Sequence, residues 1–134
     1  MVFPKLSSLE KIIRDILKKA GVDFIMEKSF KDLKGGLYRF DFYLPSLGVL
    51  IECQGQQHYE FNTFFYKNRS EAMRAHERDR KKCNFALAKN MKLYCLPYWE
   101  IENIKSLEDI LQDKFLVKTQ FHNDIVYQEY KKTW

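Results

Sequence analysis

Two short runs constrain the fold of this chain more than any other feature: Arg39-Phe40-Asp41-Phe42-Tyr43-Leu44 and Val49-Leu50-Ile51-Glu52-Cys53-Gln54. Each reads as a strand rich in β-branched or aromatic residues, and each carries one acid where a strand disfavours it. Alternation places Tyr38, Phe40, Phe42 and Leu44 on one face, and Leu37, Arg39, Asp41 and Tyr43 on the other. In the second run Leu50, Glu52 and Gln54 share a face opposite Val49, Ile51 and Cys53. That run is apolar enough to lie centrally in a sheet. A glutamate directly after Val-Leu-Ile is costly unless it is paired or bound to a cation. If the two strands are neighbours, Asp41 and Glu52 converge at one end of the sheet. Two hard carboxylates suit Mg²⁺; solvated edge acids, or a bridge to Arg39, satisfy the same pattern.

The surrounding periodicity supplies the other elements. Leu6, Leu9, Ile12, Ile13, Ile16, Leu17 and Ala20 follow helical spacing, with Ser7 or Ser8 placed to cap the start and Gly21 to end it. Residues 23–30 predict a strand, 37–44 a second and 49–54 a third. A polar, aromatic-rich loop follows over 55–68. A long helix is predicted over about 70–90, a strand over 93–96 and a short closing helix over 107–115. Residues 117–134 are ambiguous. The order αβββαβα predicts an α/β (α+β) fold, with a mixed sheet of about four strands flanked by helices. At 134 residues, 46% of them apolar, the chain fits one packed domain, with its core over 7–104 and a C-terminal helix and tail over 105–134.

Charge and cysteine usage narrow the class. Lysine and arginine outnumber the acids by 23 to 18, a net charge of +5 that suits a polyanionic partner. Cys53, Cys83 and Cys95 form no CxxC pair, so reduced thiols are expected in place of a disulfide framework or zinc knuckle. Residues 1–6 lack the apolar run of a signal peptide and no stretch approaches a membrane span, which makes an intracellular protein without a membrane partner the expectation.

Further charges stand where the core pattern does not explain them. Glu10 lies at the edge of the first helix's apolar stripe, and Asp79 lies within that of the long helix, between Ala72, Ala75, Cys83 and Ala86. An exposed flank position accounts equally for Glu10, and a buried bridge to a basic neighbour equally for Asp79. His58 closes Gly55-Gln56-Gln57-His58, where Gly55 allows a sharp turn returning the imidazole towards Glu52 and Gln54. Such a histidine suits a general base or a phosphate contact, although a surface-loop histidine is the ordinary case. His76 and His122 receive no role. Arg74, Arg78, Lys81 and Lys82 are read as broadly opposite Asp79, a face for DNA or simply for solvent. The segment from Glu60 to Arg69 adds Lys67 and Arg69 among aromatic residues suited to stacking on bases or to packing on the sheet edge.

The run Arg39-Phe40-Asp41-Phe42-Tyr43-Leu44-Pro45, followed by Leu50-Ile51-Glu52-Cys53-Gln54-Gly55-Gln56-Gln57-His58-Tyr59, resembles the core of PD-(D/E)XK endonucleases. It is most similar to the branch of very short patch repair endonucleases and E-D-x-H-D homing endonucleases, with Glu10, Asp41, Gln54, His58 and Asp79 in that order. The resemblance implies a restriction-endonuclease-like fold and Mg²⁺-dependent hydrolysis of double-stranded DNA, with Mn²⁺ substituting. It implies that Asp41, Glu52 and the Cys53 carbonyl hold the metal, that Gln54 positions a water and that His58 accepts its proton. Glu10 would act through a metal-bound water and Asp79 would orient His58. One departure is Gln54, which stands where the family's lysine is expected. A nuclease fold that binds nucleic acid without cutting is the alternative, and both a homodimer and a nicking monomer fit so short a chain.

Overall fold

The computed structural model describes residues 7–60 and 66–134. The start of the chain, read above for a leader, and the aromatic part of the loop, residues 61–65, lie outside the described residues. Helix α1, Ser8–Ala20, begins where Ser7 accepts a hydrogen bond from the Glu10 amide at 3.1 Å and ends at Gly21, whose φ of 70° is the left-handed stop. Strands β1 (Ile25–Ser29), β2 (Arg39–Leu44) and β3 (Val49–Gln54) follow as an antiparallel meander. Helix α2, Arg69–Ala88, is capped by Asn68 and returns the chain to β4, Lys92–Pro97, which pairs parallel with β3. The result is a mixed four-stranded sheet in the order β1-β2-β3-β4. The α/β class and the sheet are as the sequence predicts.

The sheet is covered on both faces. Leu9, Ile13 and Leu17 of α1 pack on Phe42, Leu44, Val49, Ile51, Tyr94 and Leu96. On the other face Cys83, Phe85 and Ala86 of α2 pack on Phe40, Leu50, Leu93 and Cys95. Leu50 thus lies opposite Val49 and Ile51, as alternation in β3 requires. Strict alternation in β2 is corrected, because Phe40 faces α2 whereas Phe42 and Leu44 face α1. The side switches at Asp41, and β1 carries a matching irregularity. Pairing of Met26 with Phe42 and of Lys28 with Phe40 leaves Glu27 opposite Asp41, and Glu27 takes a φ of 54°. A non-glycine residue rarely adopts that left-handed backbone.

The end of the chain differs from its sequence reading. The predicted closing helix is interrupted: α3 spans only Leu107–Ile110, and a single 3-10 turn, Asp113–Phe115, follows. The ambiguous tail contains a further helix, α4, His122–Lys131. It docks on α2 through an Arg80–Asp124 ion pair at 2.9 Å, and Gln120, just ahead of it, accepts a hydrogen bond from Asn84 at 3.1 Å. Tyr130 stacks on Trp99 with 4.0 Å between ring centroids. All three cysteines are free thiols. No helix among the described residues is long and apolar enough to cross a membrane.

Burial of His122 at the start of α4 has a measurable consequence. Its desolvation, with Lys118 nearby, depresses the imidazole from its ordinary 6.5 to about 4. The folded state therefore holds a neutral ring while the unfolded chain takes up a proton. The stability this confers is complete above pH 6.5, declines as pH falls and is exhausted below about 4. Its upper size is about 3 kcal/mol. Urea unfolding of wild type and His122→Leu should therefore show a smaller loss of stability for the variant across that window. Parallel pH dependences in the two proteins would refute the assignment.

Candidate functional site

The site begins where β2 and β3 part. Their Cα pairing covers Leu44↔Val49, Tyr43↔Leu50 and Phe42↔Ile51. One residue further on, side chains enter the ladder. The Asp41 amide donates to Glu52 Oε1 at 2.9 Å, and the Cys53 amide donates to Asp41 Oδ2 at 2.7 Å. An aspartate in mid-strand is tolerable because its carboxylate and that of its neighbour satisfy backbone donors that the splayed strands leave open. The expected convergence of Asp41 and Glu52 is thus a reciprocal interlock. It is the Cys53 amide N–H that meets Asp41.

Glu52 is also engaged on its other oxygen. Lys82 Nζ of α2 lies 2.9 Å from Glu52 Oε2, with only 9% of Lys82 and 5% of Glu52 exposed. The expectation of Lys82 on an outward, basic face is therefore corrected. It follows Asp79 by three residues, and side chains so spaced occupy neighbouring positions on one side of a helix. Burial alone would push the Lys82 ammonium down. Glu52 above all, with Asp41 and Asp79, more than offsets this and holds it above its ordinary value. The bridge from Glu52 thus runs to Lys82 and not to Arg39.

On the α1 side, Asp41 meets two further acids. Single carboxylate oxygens of Glu10, Glu27 and Asp41 all lie within 4.8 Å of one another. Burial, then Glu52 and Glu10, raises the Asp41 carboxyl well above the usual range. Glu27 is raised too, by desolvation and by Glu10 and Glu52. The sequence reading found Glu10 but missed Glu27. Its only local mark is an acid in a strand-like segment, and the partner that gives it meaning lies in another strand.

The third group lies beside α2. The chain leaves β3 through a 3-10 turn, Gln56–His58. Gly55 has an ordinary φ of −74°, so the turn does not need its left-handed freedom; a Cβ there would instead come within 2.5 Å of Gln57 Oε1. The turn brings His58 Nδ1 to 2.8 Å from Asp79 Oδ2, both partly buried. In a neutral ring, donation to the carboxylate requires the proton on Nδ1 and leaves the lone pair on Nε2. Gln54 is buried on the same sheet face as Glu52, its Oε1 accepting from Tyr59 O–H at 2.8 Å. Tyr59 is held in turn by Trp99, 4.8 Å between centroids.

The remaining cationic candidates occupy the surface. Lys67, Arg69, Arg74 and Arg78 are exposed. Arg78 lies over the Tyr38 ring at 5.7 Å, and Lys81 pairs with Glu77 at 3.2 Å.

No family model matches the chain. It is 33% identical over 66 residues to an uncharacterized protein, 033L, of Invertebrate iridescent virus 3, a stretch covering 49% of this chain and 34% of that protein. It is 35% identical over 79 residues to an uncharacterized protein, 094L, of Frog virus 3, covering 58% of this chain and 48% of the relative. In both cases the similarity spans less than half the relative's length.

Proposed function

We propose that this chain is a divalent-cation-dependent DNA endonuclease of the PD-(D/E)XK type with a restriction-endonuclease-like sheet. The observation that carries the reading is the Asp41–Glu52 interlock at the splayed ends of β2 and β3, with the buried ammonium of Lys82 upon it. Lys82 supports an active enzyme over a binding module, because it supplies the compact cation missing from position 54.

The donor set fits a hard cation. Glu10, Glu27 and Asp41 offer only carboxylate oxygens; burial first, and neighbouring carboxylates second, raise Asp41 and Glu27, and a divalent ion would offset both. These three would hold Mg²⁺ or Mn²⁺. Glu52, with its oxygens on the Asp41 amide and Lys82, chiefly fixes their positions. A bound ion supplies Lewis-acid stabilisation of charge developing on a phosphate oxygen. The other roles fall to the protein. Lys82 contributes positive charge from a dry position. His58, oriented by Asp79, accepts the proton of the attacking water at Nε2. Gln54, anchored by Tyr59, keeps its amide N–H groups free to hold that water or a phosphate oxygen. Lys67, Arg69, Arg74 and Arg78 contact the DNA backbone and make binding salt-dependent.

The test is cleavage of supercoiled plasmid in Mg²⁺ or Mn²⁺ against a chelated control. Nicking or linearisation is expected only with the metal. Asp41→Ala should reduce it about a thousandfold, equivalent to several kcal/mol of lost charge stabilisation. Failure to cut plasmid, mismatched or branched DNA in either metal would overturn the nuclease reading and favour a non-cutting nucleic-acid-binding domain.

A further inference from the structure

Asn123, in the first turn of α4, is buried with only 7% of its surface exposed. Its Nδ2 donates to Asp79 Oδ2 at 3.4 Å, the same oxygen that meets His58 Nδ1 at 2.8 Å. Its Oδ1 is buried and has no hydrogen-bond partner among the described residues. A buried carbonyl without a donor costs stability, and an apolar side chain of similar shape would avoid that cost. Asparagine is therefore a poor choice for packing, and what it alone adds is the N–H aimed at Asp79. The Arg80–Asp124 ion pair, with the Asn84–Gln120 hydrogen bond just ahead of the helix, already holds this part of the chain on α2 without it.

We propose that Asn123 is a positioning residue that pins the Asp79 carboxylate, and through it fixes the ring orientation and tautomer of His58. Asp79 sits on α2 beside two cations engaged elsewhere, Arg80 with Asp124 and Lys82 with Glu52. The Asn123 amide biases the carboxylate towards the rotamer that His58 requires. The C-terminal helix thereby becomes part of the site. This inference rests on the nuclease reading only for its catalytic consequence, because the geometry it concerns exists in the resting protein.

The experiment reads the His58 ring directly. The chain has three histidines, and the His58→Gln spectrum assigns the signals. In ¹⁵N NMR, wild-type His58 is expected to populate the Nδ1–H tautomer. In Asn123→Leu the preference should fall at least about fivefold, since the partner of one ring nitrogen decides which carries the proton, while the melting temperature is kept or raised. Asn123→Ala provides a second variant should the leucine not fold. If the protein cuts DNA, kcat should drop about tenfold with KM unchanged. An unaltered tautomer ratio in a folded variant would overturn the proposal. So would a tautomer change that appears only together with a lowered melting temperature in both variants, which would mark a structural role. Because the NMR measurement needs no cleavage, a chain that fails to cut DNA still decides the role of Asn123.

Discussion

Lys82→Met is expected to lower both DNA cleavage and stability, and a second substitution should separate the two effects. The ammonium lies 2.9 Å from Glu52 in a buried setting. Its removal leaves Glu52 beside Asp41 with no compensating charge, and breaking a buried pair from one side typically costs about 3–5 kcal/mol. Cleavage should fall about 100- to 1000-fold, the usual consequence of removing a preorganised charge. Lys82→Met combined with Glu52→Gln restores neutrality, so the urea midpoint should recover most of its loss while cleavage stays low. A double-mutant cycle isolates the coupling. If Lys82→Met unfolds and cuts like wild type, the pair is incidental. If the single variant does not fold, activity is read from the double variant and from Lys82→Arg. A planar guanidinium there keeps the charge but not the compact fit.

His58→Ala should reduce cleavage by about 10²- to 10⁴-fold, the range of a positioned general base, with little change in stability. Its ring is partly exposed and makes its hydrogen bond to Asp79 outside the core clusters. The discriminating readout is the pH–rate profile. A base must be deprotonated to act, so the wild-type rate should rise with pH. That limb should vanish in His58→Ala and persist in Lys82→Met. If the limb persists in His58→Ala and vanishes in Lys82→Met, water activation belongs to Lys82 and His58 is reduced to a phosphate contact. Asp79→Asn should give a smaller loss, because it disturbs the ring's orientation without removing it.

Several parts of this arrangement were legible without coordinates because they depend on neighbours in sequence. The capped, apolar stripe of α1 and the bounds of β3 follow from local spacing and turn chemistry. Asp41 and Glu52 announced themselves by occupying positions that strands avoid. Asp79 did so by interrupting a helix stripe, and the His58–Asp79 contact joins two residues that the sequence had already singled out.

What escaped notice depends on pairing across distance. Glu27 is an ordinary exposed acid until β1 aligns it opposite Asp41 and within reach of Glu10. Lys82 reads as one of several cations on a basic helix until the sheet beneath selects it for Glu52. Phe40 and Phe42 share a period-two pattern, but they pack in the cores on opposite faces of the sheet, with the change of side at Asp41 between them. Asn123 belongs to a segment with no clear periodicity, and α4 is placed by ion pairing and ring stacking against Arg80 and Trp99.

The sequence by itself determined the mixed α/β class, the bounds of the central strand and the presence of acids at positions that strands and apolar helix stripes disfavour. Those follow from backbone propensity, hydrophobic period and the desolvation cost of charge, all of which act over a few residues. Only the tertiary structure decided how the polar groups meet: that Asp41 and Glu52 interlock through backbone amides, and that Glu27 joins Glu10, Lys82 joins Glu52 and Asn123 joins Asp79. Electrostatic and hydrogen-bond partners are selected by distances of about 3 Å in three dimensions, and strand register and helix docking set those distances.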